Sequence, residues 1–134
     1  MQRPFVAGVR YFVPVFVFAF VVGVVRTLVV APRLGNVLAV CIELPVVLGF
    51  AFIVCRRVAS RVDPGPGART AMGATAFALL MVVEFVMATA VFGAAPADWL
   101  AGFATPAGQI GLAGQIGFGL MPLFVRRQGA VSFR

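Results

Sequence analysis

Apolar residues run almost unbroken through four stretches of the chain, and polar residues gather between them. The first stretch covers about Tyr11–Ala31, the second about Val37–Cys55, the third about Thr70–Phe92 and the fourth about Ala107–Val125. None alternates apolar with polar at every second position, so the pattern describes neither half-buried strands nor a barrel wall. At about 1.5 Å per residue, each stretch can cross a hydrocarbon layer about 30 Å thick. No water in that layer takes up amides and carbonyls, so each segment must satisfy its own backbone as a helix. The expected fold is an all-α integral membrane protein. It forms a single four-transmembrane-helix bundle over residues 1–134, with a short interfacial helical turn near Ala97–Phe103.

The links carry their own signals. Pro32 and Pro106 are placed to open the second and fourth helices, since proline is tolerated in a first turn. So few residues separate the first two stretches that they should form a tight antiparallel hairpin. Asp63-Pro64-Gly65-Pro66-Gly67 reads as a turn. The connection from Gly93 to Pro106 holds Asp98 and Trp99 and no Arg, and Trp99 suits the membrane–water boundary. Arg3 and Arg10 precede the first stretch, Arg56, Arg57, Arg61 and Arg69 fill the middle link, and Arg126, Arg127 and Arg134 follow the fourth. Arg33 and the nearby Arg26 are alone at the other side. The excess of cations on the cytoplasmic side then predicts an N-in, C-in topology with the middle link inside. An even number of crossings agrees. The first stretch is too long for the apolar core of a signal peptide and is expected to stay as an uncleaved helix.

Composition strengthens the membrane reading and narrows the chemistry. Hydrophobic residues make up 62% and charged residues 11% of 134 residues, and mean hydropathy is +1.07. A soluble domain is about 25% charged. The net charge is +7, but the Arg residues punctuate apolar runs, so no nucleic acid partner is expected. Arg as the sole basic residue, with abundant Ala, Val and Gly, points to a GC-rich bacterial gene and hence to the bacterial cytoplasmic (inner) membrane. With no His, imidazole metal sites, bis-His haem and a His general base are excluded. Cys41 and Cys55 on one helix lie about 21 Å apart, beyond disulfide reach. No serine or threonine has a partner base. The chain is not expected to be an enzyme, and neither a cofactor nor a metal is expected.

Four polar residues inside the stretches stand out. Arg26, Glu43, Glu84 and Gln115 fall one on each helix, within roughly 5–15 Å of the outer boundary. An intramembrane charge costs about 2.5–3.5 kcal/mol on insertion scales, and a shared depth lets opposite charges offset one another. This layer is expected to be an ion pair or a proton or ligand site, with Arg26 paired to Glu43. Two carboxylates against one Arg leave one without a counter-charge, and Glu84 is the one expected to exchange a proton. Pro45, two residues past Glu43, should kink its helix and free a carbonyl. The fourth stretch repeats Gly-Gln-Ile-Gly at Gly108–Gly111 and Gly114–Gly117, with small residues that let helices approach closely. Phe12, Phe16 and Phe20 form a stripe expected to pack or to face lipid. The leading functional expectation is a structural protein or accessory subunit of a membrane complex. The alternative is a small oligomeric proton-coupled carrier or channel using Arg26, Glu43 and Glu84. Lipid bilayer is the one expected partner, with a homo-oligomer or a larger membrane complex left open.

Overall fold

A computed structural model of the chain describes residues 2–125. Arg126, Arg127 and Arg134 of the expected cytoplasmic cluster lie outside the described residues. Those residues are all-helical, with no strand among them. In chain order the helices are α1 (Pro4–Leu34), α2 (Asn36–Ala59), α3 (Pro66–Val91), α4 (Pro96–Gly102) and α5 (Pro106–Phe124). Among the described residues α1, α2 and α3 are long and apolar enough to cross a membrane. The 19 residues of α5 are diluted by its glycines and two glutamines and do not join that set.

Proline sets most of the starts. It occupies the first turn of α1, α3, α4 and α5, where its missing N–H costs no hydrogen bond. Thr105 caps α5, its hydroxyl oxygen accepting from the Gly108 amide at 3.0 Å. The helices outrun the apolar stretches because backbone hydrogen bonding does not stop at a polar side chain. Arg10 therefore lies inside α1, and Arg69 inside α3 instead of in the link. Pro32 does not open α2. It sits in the last turn of α1, and the chain reverses through the single residue Gly35, whose φ of 84° favours glycine. The expected turn near Ala97–Phe103 is the short helix α4.

The four long helices close a ring. α1 packs on α2 and α3, and α5 packs on the same two from the other side. Glycine permits the closest approach. A Cβ on Gly73 of α3 would collide with the Gly119 carbonyl of α5, and one on Gly114 would collide with the Leu44 side chain of α2. The solid core fills the half of the bundle that contains the start of α1 and the end of α5. Tyr11, Cys55, Met72 and Pro122 are fully buried there. Outward faces are apolar: Val13, Val17, Leu38 and Val82 are all exposed, a surface fit for lipid rather than water.

Two polar side chains inside this core complete the backbone of α5. Pro122 has no N–H, so the Phe118 carbonyl one turn back loses its helical donor. The Tyr11 hydroxyl donates to that carbonyl at 2.8 Å, and the two rings stack at 4.3 Å. Arg69 is 4% exposed, and its Nη1 donates to the carbonyls of Pro122 (3.0 Å) and Val125 (2.5 Å). These are end-of-helix carbonyls at the negative pole of α5, which is where a cation is favoured. Tyr11→Phe should therefore leave a buried carbonyl orphaned and cost about 1–3 kcal/mol. Reversible unfolding in mixed detergent micelles checks this, and an unchanged midpoint would contradict the role given to Tyr11.

Candidate functional site

The other half of the bundle is hollow. A cavity of 410 Å³ lies between the four long helices, and α4 borders it as well. Phe12, Val15 and Phe118 close it toward the solid core, and Trp99 of α4 and Phe103 just after it line the other end. Trp99 meets Phe85 edge-on at 5.2 Å and Phe103 at 4.9 Å, which ties α4 to α3.

Arg26, Glu43, Glu84 and Gln115 all line this one cavity. They divide into two pairs. Arg26 Nε lies 2.5 Å from Glu43 Oε2, joining α1 to α2, with 31% and 18% of the two side chains exposed. The Gln115 side-chain amide donates to both Glu84 oxygens at 2.7 Å, joining α5 to α3. This leaves Gln115 Oε1 buried without a donor. The first pair is electrically neutral. The second brings a carboxyl group without a cation and an amide oxygen without a proton donor, so it is short of one proton or one cation.

The backbone changes pitch beside both pairs. Arg26 opens a π-helical turn, Arg26–Val30, and another, Met87–Val91, begins three residues after Glu84. Each turn contains a threonine whose hydroxyl donates to the carbonyl four residues back. Thr27 donates to Gly23 at 2.9 Å and Thr89 to Phe85 at 2.8 Å. Threonine back-bonding of this kind bends helices locally and accompanies the change of pitch. Such turns recur at functional sites because they re-aim a side chain without ending the helix.

The neighbouring residues divide between the cavity wall and the outside. Pro45 lies within α2 but does not line the cavity. Gln109 faces away, its amide reaching only the Ala104 carbonyl at 3.4 Å. Of the phenylalanine stripe, Phe12 and Phe16 pack as cavity wall, while Phe20 is exposed. The signal for the first two was present in the spacing. Phe12, Ala19 and Arg26 recur every seven residues with Phe16 between them, so the cavity face of α1 follows from Arg26 itself. Trp99 and Phe103 had no such signal, because nothing in a short surface helix says which way it folds over. No family model matches this chain, no characterised protein matches it in sequence, and no solved structure matches it.

Proposed function

We propose that the chain is a small proton-coupled carrier or channel of the bacterial inner membrane, with Glu84 exchanging a proton for a small organic cation in the cavity. The observation that carries this reading is the Glu84–Gln115 pair, which faces 410 Å³ of open space and has a site for one proton or one cation that no protein group fills. Trp99, Phe103 and Phe16 supply aromatic faces to the same cavity, and aromatic faces attract cations, quaternary ammonium groups in particular. Within this reading Gln115 holds the Glu84 carboxylate in place, and the Arg26–Glu43 pair holds α1 to α2 and sets the local charge balance. No step of this reading requires a nucleophile, and within it the protein works as a carrier rather than as an enzyme.

An accessory or purely structural role is the second reading, and the Arg26–Glu43 pair alone would serve it. The Glu84–Gln115 bond also holds α3 to α5, but adhesion alone does not call for an ionisable group where a second amide would bond as well. A second carboxylate beside a cavity adds insertion cost without adding a counter-charge.

The topology belongs to the same proposal. α5 is taken as a fourth crossing, short but continuous with the bundle, and both chain ends and the Ser60–Gly65 turn lie on the arginine-rich cytoplasmic side. Reporter fusions at Gly65 and at Pro96 should then report opposite sides, and a shared side would remove the fourth crossing. For the activity, tetraethylammonium added to the purified protein in weakly buffered detergent should release protons as it displaces them from Glu84. Tetraethylammonium binding with no proton release would overturn the coupling. An absence of binding would overturn the cation site.

A further inference from the structure

A second cavity lies at the opposite end of the bundle, where α1 begins and α2 gives way to the turn. It encloses 440 Å³ and is lined by Arg3, Arg10 and Arg61, with Gln2, Val6 and Ser60 among them. Two contacts of Gln2 shape it. The backbone amide of Gln2 donates to the Arg61 carbonyl at 2.8 Å, holding the start of the chain against the turn. The Gln2 amide lies against Arg10, and with its oxygen rather than its nitrogen on that side it can accept from Nε at 3.1 Å and Nη1 at 2.9 Å.

No acidic side chain lines this notch. The four acidic side chains, all among the described residues, are placed elsewhere. Glu43 and Glu84 face the polar cavity, Asp63 accepts from the Gly65 amide at 2.7 Å, and Asp98 lies in α4. Among the described residues, three guanidinium groups thus border one concavity with no counter-ion in its wall, and they repel one another. The positive pole of α1 adds to them, since Arg3 and Val6 belong to its first turn. Guanidinium edges match phosphate oxygens in bidentate geometry.

The face of α1 that leads away from the notch is apolar and open. Val6, Val13 and Val17 are 44%, 49% and 57% exposed. Arg3 and Arg10 have the same seven-residue spacing as Val6 and Val13, so cations and valines share one stripe of the helix. A charged notch at the end of a helix fit to cross a membrane, continued by an apolar stripe, matches a lipid from headgroup to chain. We propose that the notch binds the phosphate group of an anionic phospholipid, with Arg3, Arg10 and Arg61 donating to its oxygens and the acyl chains lying along Val6, Val13 and Val17. Basic pockets at the ends of spanning helices recognise anionic headgroups by this chemistry. Inorganic phosphate offers the same oxygens without the chains.

Thermal unfolding of the full chain in a neutral detergent tests this, titrated with short-chain phosphatidylglycerol, phosphatidylcholine or inorganic phosphate. Phosphatidylglycerol should raise the midpoint, and the other two should raise it little. The Arg10→Gln/Arg61→Gln variant should bind phosphatidylglycerol about tenfold or more weakly, one decade being the loss of about one charge-assisted hydrogen bond. Arg57→Gln removes the same kind of charge from the same end of α2 but outside the notch, and should bind as the wild type does. Should the double variant fail to fold, Arg3→Gln alone is expected to weaken phosphatidylglycerol binding in the same direction. Equal responses in Arg57→Gln and the notch variants would overturn the site. A full shift from inorganic phosphate, lost in the notch variants, would overturn the lipid as its source.

Discussion

Glu84→Gln should abolish proton release on tetraethylammonium binding and leave the bundle folded. The substituted amide keeps the shape of the carboxyl, and its oxygen still accepts from the Gln115 amide that now lies 2.7 Å from Glu84. What it lacks is charge and an exchangeable proton. A carboxylate and a cation about 4 Å apart attract by about 4 kcal/mol at an effective dielectric constant of about 20. Losing that attraction should weaken cation binding by more than about a hundredfold. Glu84→Leu is a different experiment. It also strands the Gln115 amide donors in a buried position and should cost about 1–3 kcal/mol of stability. A Glu84→Gln protein that still releases protons would transfer the exchange to Glu43. A Glu84→Leu protein that unfolds no more easily than the wild type would remove the α3–α5 link from the account.

The second large effect is on stability. Glu43→Ala should destabilise the bundle by about 3 kcal/mol, because it leaves the Arg26 guanidinium without its counter-charge between α1 and α2. That value is the low end for a broken buried pair, since 31% of the Arg26 and 18% of the Glu43 side chain are exposed. Replacing both residues, Arg26→Leu with Glu43→Leu, should bring stability back to within about 1 kcal/mol of the wild type or above it, because an apolar pair carries no desolvation cost. The double variant should still release protons on binding tetraethylammonium, because the charge tally of the cavity is unchanged and Glu84 is intact. Reversible unfolding gives the stability cycle. In the cycle of Arg26→Leu, Glu43→Leu and the double variant, a double loss equal to the sum of the two single losses would mean that the residues do not act as a pair.

The sequence carried much of this architecture and less of its detail. Unbroken apolar stretches identified the four long helices, because a helix is the only way to satisfy a backbone without water. Helix ends were misjudged where hydrogen bonding ran on past the apolar stretch. Pro4 and Pro66 mark the true starts of α1 and α3, and both are prolines in a first turn, a signal as local as the one that correctly placed Pro106. The gathering of Arg26, Glu43, Glu84 and Gln115 was legible because residues at one depth on neighbouring helices have few places to go. Their division into an Arg26–Glu43 and a Glu84–Gln115 pair depends on the ring order of the helices, and hydropathy is blind to that order. Arg69 was read as one more cytoplasmic cation. Its burial follows from the end of α5, where unpaired carbonyls of Pro122 and Val125 supply acceptors in place of a carboxylate. Tyr11 was legible only in retrospect, as the donor that Pro122 makes necessary on a helix more than a hundred residues away in sequence.

The central claim is that Glu84 couples a proton to a cation across the membrane. It is tested most directly in proteoliposomes with an acidic interior and an alkaline exterior, by following external tetraethylammonium as it enters and internal protons as they leave. The wild type should accumulate the cation while the pH gradient collapses, and both fluxes should fall to the level of protein-free liposomes in Glu84→Gln. Wild-type liposomes that match protein-free ones, or a Glu84→Gln protein that still drives both fluxes, would contradict the account.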